Sequence, residues 1–258
     1  MIKLIASDLD GTLLERGEQE LDNEIFEVIR QLRKKNIYFV VASGRQYPNL
    51  RRLFSSVSNR ISFICENGGL IMHNEEIFAK HSIDKEIGIQ FAKEILETEH
   101  CELLISGQFT FYLKPKKQEY INFLKHTIKA NLCEVDSIED ITEDFIKISV
   151  YDARGVEHYS CTHFKQKWQG KLYLAYSGHE WLDFTALQVN KGDALRNLCG
   201  KLGISREEVM VFGDNINDRE MIQWAYHSYA MDEGREEIKK YAKYTTDSVL
   251  DIIKERVL

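Results

Sequence analysis

Three short apolar runs, each ending on a polar residue, constrain this chain more than any other feature. Leu4-Ile5-Ala6-Ser7 stops at Asp8, Ile37-Tyr38-Phe39-Val40-Val41-Ala42 stops at Ser43-Gly44, and Val209-Met210-Val211-Phe212 stops at Gly213-Asp214. Short continuous apolar runs bounded by turn residues read as strands buried on both faces. Ile25, Val28, Ile29 and Leu32 form a helical stripe between the first two runs, and Leu50, Leu53 and Phe54 mark a short helix after the second. Ile61 to Cys65 reads as one more strand. Strands alternating with helices predict an α/β fold, a Rossmann-like parallel sheet with helices on both faces.

The pattern changes near Gly68-Gly69. Leu70-Ile71-Met72 and Ile77-Phe78-Ala79 flank a polar tetrapeptide, a hairpin signal. From Ile83 to Phe184 helical stripes mix with short strands. Ile83, Ile87, Phe91 and Ile95 share a helical face, interrupted by Gly88 for no reason the sequence offers. After Asn190 the α/β style returns, with a helix over Leu195, Leu198, Cys199 and Leu202 and a strand over His227 to Met231. The division expected is a core of residues 1–81 and 186–258 and an inserted α+β lobe of residues 82–185. A length of 258 residues accommodates two such bodies, since domains run to roughly 100–200 residues.

Composition narrows the partners. The 34 Lys and Arg against 41 Asp and Glu give a net charge of −7, which argues against nucleic acid or an anionic membrane as the main partner. The longest apolar runs are too short to span a bilayer, and acids follow Leu4-Ile5-Ala6 at once, so neither a membrane helix nor a secretory signal is expected. Five widely spaced cysteines without a CxxC suit reduced thiols, hence a cytoplasmic protein.

In an open parallel sheet, ligands bind beyond the carboxyl ends of the strands. If the three runs share one sheet, Asp8, Asp10, Ser43, Asp214 and Asp218 gather at one edge. Carboxylates so gathered repel one another, and a hard divalent cation such as Mg²⁺ removes that penalty. Lys191 precedes the stripe of Leu195, Leu198 and Leu202. There the helix N-terminus and the ammonium both favour an anion such as phosphate, to which Ser43 and Gly44 add a hydroxyl and a backbone N–H.

The set Asp8-Leu9-Asp10-Gly11-Thr12-Leu13-Leu14, Ser43-Gly44-Arg45, Lys191-Gly192 and Gly213-Asp214-Asn215-Ile216-Asn217-Asp218 resembles the haloacid dehalogenase superfamily. It is most similar to the Cof-type phosphatases, which carry an α+β cap between the second and third motifs. Glu66-Asn67-Gly68-Gly69 and Ala230-Met231 also resemble that pattern, so the likeness runs nearly end to end. The resemblance implies hydrolysis of phosphomonoesters of small metabolites, with Asp8 as nucleophile forming an aspartyl-phosphate. Asp10 would be the general acid and later the base. Mg²⁺ would be held by Asp8, the backbone carbonyl of Asp10, Asp214 and Asp218. Ser43, Gly44, Lys191 and Asn217 would bind the phosphoryl group, and the cap would close over the site and choose the substrate. Where the family often has Asn two positions after Ala-Met, this chain has Glu233.

Two other readings stay open: a phosphotransferase or sugar phosphomutase of the same chemistry, and a phospho-accepting signalling module, against which the inserted lobe counts. The expected partner is a small phosphorylated metabolite, without nucleic acid or membrane, and the expected state a monomer or weak homodimer. His158, Cys161 and His163 read as a half-buried helix rather than a zinc site, Tyr112, Tyr151, Tyr173 and Tyr176 as packing residues, and Lys114-Pro115-Lys116-Lys117 as a solvated turn.

Overall fold

The computed structural model describes residues 1–15, 18, 20–128, 130–157, 160–177 and 179–258. Its first third contains β1 (Leu4–Ser7), α1 (Asn23–Lys34), β2 (Tyr38–Ala42), α2 (Tyr47–Leu53), β3 (Ser62–Cys65), β4 (Leu70–His73) and β5 (Glu76–Lys80). The middle contains α3 (Lys85–Glu97), β6 (Glu102–Ser106), β7 (Phe111–Leu113), α4 (Gln118–Phe123), β8 (Leu132–Glu134), β9 (Lys147–Tyr151), α5 (Ser160–Trp168), β10 (Tyr173–Tyr176) and β11 (Trp181–Thr185). The last part contains α6 (Lys191–Leu202), β12 (Val209–Gly213), α7 (Arg219–Trp224), β13 (His227–Met231), α8 (Glu236–Lys239), β14 (Tyr244–Thr246) and α9 (Val249–Arg256). The chain forms two compact units, Met1–Ala79 with Asn190–Leu258, and Lys80–Val189.

The first unit is built on an eight-stranded sheet of order β14-β13-β12-β1-β2-β3-β4-β5. Strands β14 through β3 run parallel, and β4 turns back antiparallel on β3. All four residues of β1 are buried, as a strand with both faces covered requires. Leu4 and Ala6 pack with Val40, Ala42 and Val211 against Leu195 and Leu198 of α6 and Met221 and Ile222 of α7. α1 forms where the stripe predicts it. Asp22 caps it by accepting from the N–H of Glu24, and Ile25, Val28, Ile29 and Leu32 are its buried residues. β4 turns into β5 through Asn74 and Glu75, both at left-handed φ, the conformation that two-residue hairpins of matching twist need.

The second unit has a six-stranded sheet, β10-β11-β9-β6-β7-β8, antiparallel except for the β7–β8 pair. Phe91 and Ile95 of α3 and Phe164 and Trp168 of α5 pack with Leu103, Ile105, Ile148, Val150, Leu182 and Phe184. A second cluster joins Tyr120, Ile121 and Leu124 to Leu104, Phe111 and Leu113. Gly88 gains its reason here: a Cβ on it would lie 2.6 Å from Cδ2 of Phe145. The lysine run is not merely a solvated turn, because Lys116 Nζ donates to the carbonyls of Ile95, Thr98 and Cys101 and so closes the C-terminal end of α3. Tyr151 stacks with Tyr120 and Phe123. His158 lies outside the described residues. Of its two companions, Cys161 meets the hydroxyl of Tyr176 and His163 meets Glu94. No described helix is long and apolar enough to cross a membrane.

Candidate active site

Sheet order fixes the site. β12 and β1 are parallel neighbours, with Ser7 opposite Phe212. The strand order departs in opposite directions from this pair, which makes it a topological switch point where a crevice opens at the carboxyl edge. Asp8 follows β1 and donates its N–H to the carbonyl of Phe212 at 3.0 Å. Asp214 follows β12. Asp8, Asp214 and Asp218 are buried, and one oxygen from each lies within 4.8 Å of the others.

Each acid is placed by its local backbone. Asp218 Oδ2 accepts the N–H groups of Asp214 at 3.0 Å and Asn215 at 3.1 Å, locking the turn Ile216–Asp218. Gly213 permits this, since a Cβ there would lie 2.6 Å from Cβ of Asp218. Gly11, at a left-handed φ of 85°, lets the loop after β1 pass beside Asp214, whose Oδ2 a Cβ would strike.

Lys191 enters at the start of α6, which Asn190 caps by accepting the N–H of Asp193. The lysine is fully buried. Its Nζ donates to Asp8 Oδ1 at 2.6 Å and to Asp218 Oδ1 at 2.7 Å. Burial drives the Asp8 carboxyl well above the usual carboxylate range; Lys191 pulls it down, while Asp218, Asp214 and Asp10 push it up again. Burial works to discharge Lys191 as well, but the Asp218 and Asp8 carboxylates outweigh it and hold the ammonium above the ordinary lysine range. Three clustered carboxylates beside one ammonium leave a surplus of negative charge, and hard oxygen donors of this kind fit a divalent cation such as Mg²⁺.

The remaining expected residues divide. Asp10 does not bring its carboxylate into the acidic group. It faces solvent and makes two bonds to Arg45, Nη2 to Oδ1 at 2.5 Å and Nε to Oδ2 at 2.9 Å. A guanidinium fork matches a carboxylate better than a crowd of like charges does. Ser43 is buried, takes the carbonyl of Ile64 with its N–H, and accepts the N–H of Arg45 at Oγ. Gly44 lies half-buried between them. Asn217 donates Nδ2 to Asn67 Oδ1 at 3.0 Å. Sequence reasoning missed Arg45 and Asn67 as partners of the site. Their signals were the arginine directly after Ser43-Gly44 and the Glu66-Asn67-Gly68-Gly69 quartet.

Comparison with known proteins shows what the whole chain resembles. The chain is 28% identical over 259 residues to the Escherichia coli (strain K12) protein 5-amino-6-(5-phospho-D-ribitylamino)uracil phosphatase YbjI, covering 98% of this chain and 95% of that one. It is 28% identical over 261 residues to the Bacillus subtilis (strain 168) phosphatase YcsE, named for the same substrate, covering 97% and 92%. A crystal structure of a Eubacterium rectale protein matches with a TM-score of 0.87 at 32% identity, covering 98% of both chains. The haloacid dehalogenase-like hydrolase family matches residues 5–251. An acid after β1, an acid pair after β12 and a lysine opening α6 thus stand in a chain that belongs, over almost its whole length, to the haloacid dehalogenase-like hydrolases.

Proposed function

We propose that this chain is a Mg²⁺-dependent phosphatase that hydrolyses phosphomonoesters of small metabolites through an aspartyl-phosphate on Asp8. The observation that carries this reading is the buried group of Asp8, Asp214 and Asp218 joined by Lys191. Asp8, the backbone carbonyl of Asp10, Asp214 and Asp218 would hold the cation, which when bound neutralises the acids and the phosphoryl oxygens. Asp8 attacks phosphorus, and Lys191 offsets the repulsion between carboxylate and phosphate. Ser43, Gly44 and Asn217 orient the phosphoryl oxygens. Asp10 leaves Arg45, takes up a proton from solvent and gives it to the departing alkoxide, and the carboxylate so formed takes a proton from the water that cleaves the acyl phosphate. The names of the two phosphatase relatives make 5-amino-6-(5-phospho-D-ribitylamino)uracil the first natural substrate to assay.

The test is turnover of p-nitrophenyl phosphate. Hydrolysis should require Mg²⁺, stop with EDTA and vanish in Asp8→Asn while the variant stays folded. Asp8→Asn with near wild-type hydrolysis ends the nucleophile assignment.

A further inference from the structure

The turn after β3 touches three segments of the site at once. Glu66 and Asn67 hold left-handed φ values of 52° and 55°, which Asn tolerates and Glu rarely adopts. The N–H of Glu66 donates to the carbonyl of Arg45 at 3.1 Å, and that of Asn67 to the carbonyl of Ser43 at 3.0 Å. A Cβ on Gly68 would strike the carbonyl of Asn190, the residue that caps the helix bearing Lys191. Asn67, 1% exposed, accepts from Asn217, which immediately precedes Asp218. Oδ1 of Asn217 is buried without a hydrogen-bond partner among the described residues. A buried Glu66 held in this conformation outside a hairpin turn is strained, and such strain clusters at functional sites.

We propose that Asn67 is a positioning residue for the phosphoryl group. A carboxamide nitrogen has two N–H donors. Asn67 Oδ1 takes one from Asn217 and thereby fixes the plane of that carboxamide, so the second N–H is presented to a phosphoryl oxygen. The proposal rests on the phosphatase reading given above and adds to it a residue from the turn after β3, outside the four motifs.

A double-mutant cycle tests it. kcat and KM for p-nitrophenyl phosphate with Mg²⁺ are measured for the wild type, Asn67→Gly, Asn217→Ala and the double variant. Glycine suits the left-handed backbone, so Asn67→Gly withdraws the carboxamide and keeps the turn. Each single variant should lose about tenfold in kcat/KM, chiefly through KM. The double variant should be no worse than Asn217→Ala, because Asn67 acts through Asn217. Losses that multiply to about a hundredfold, or wild-type KM in Asn67→Gly, overturn the proposal. Urea unfolding of the same four proteins reads the pair without turnover: non-additive midpoints support the bond and additive ones overturn it. Should Asn67→Gly not fold, Asn67→Ala takes its place in both measurements. A wild type that hydrolyses nothing sinks the phosphatase reading separately, and the unfolding cycle still decides whether Asn67 and Asn217 are coupled.

Discussion

Lys191 occupies a position with two penalties: it is fully buried, and it sits in the first turn of α6, where a cation opposes the helix dipole. The Asp8 and Asp218 carboxylates compensate both. Removing one partner of a buried ion pair leaves an uncompensated charge, so Lys191→Met should lower the unfolding free energy by about 3–5 kcal/mol in metal-free buffer. Urea denaturation at neutral pH measures it, and a loss under about 1 kcal/mol would mean that the acids relax into solvent. The pH dependence has a definite sign. The folded-state value of Lys191 lies above its ordinary 10.5, so the stabilisation is fully present below 10.5 and fades as pH rises through the folded value. Alkaline titration of the wild type should lose this contribution, and Lys191→Met should have none to lose. Gly11 answers to geometry alone. Gly11→Ala would place Cβ against Asp214 Oδ2 at a φ that alanine resists. Hydrolysis should fall by roughly a hundredfold, with wild-type kcat/KM as the result that would remove Gly11 from the account.

At the scale of elements, opposing preferences meet at Gly88. Inside a helix, alanine is better than glycine by roughly 1 kcal/mol. At this position, however, the added methyl lies 2.6 Å from the ring of Phe145, which is fully buried. Overpacking a core costs about 1–3 kcal/mol, so Gly88→Ala should destabilise the protein despite its propensity, and a raised urea midpoint would show that Phe145 yields. The sequence displayed the glycine but not the phenylalanine, 57 residues on. The same distance limits the rest. β1, β2 and β12 were legible as continuous apolar runs that stop at turn residues, and α1 because its stripe is long enough to show a period. β8 and β14, of three residues each, show none. β11 was missed because Asp183 lies within it, buried and paired with Lys147 at 3.1 Å, where a charge ordinarily marks a surface. The acidic edge followed from strand ends alone. The pairing of the Asp10 side chain did not follow, because its partner Arg45 lies 35 residues away.

For the whole molecule, each unit has its own apolar clusters, and the proposed cation ligands all lie in the unit of Met1–Ala79 and Asn190–Leu258. A ligand stabilises what binds it, by about 2.7 kcal/mol at a hundredfold excess over Kd. In a body of about 150 residues each kcal/mol raises the midpoint by roughly 2–4 °C, so saturating Mg²⁺ should raise it by about 5–10 °C. The three tryptophans allow this to be assigned, because Trp224 lies in the first unit and Trp168 and Trp181 in the second. Followed by fluorescence, the protein carrying Trp168→Phe and Trp181→Phe should show the full Mg²⁺ shift, and the protein carrying Trp224→Phe a smaller one. EDTA should reverse both, and Asp214→Ala should abolish the larger. A shift confined to Trp168 and Trp181 would place the cation in the second unit and remove Asp8 from its ligands.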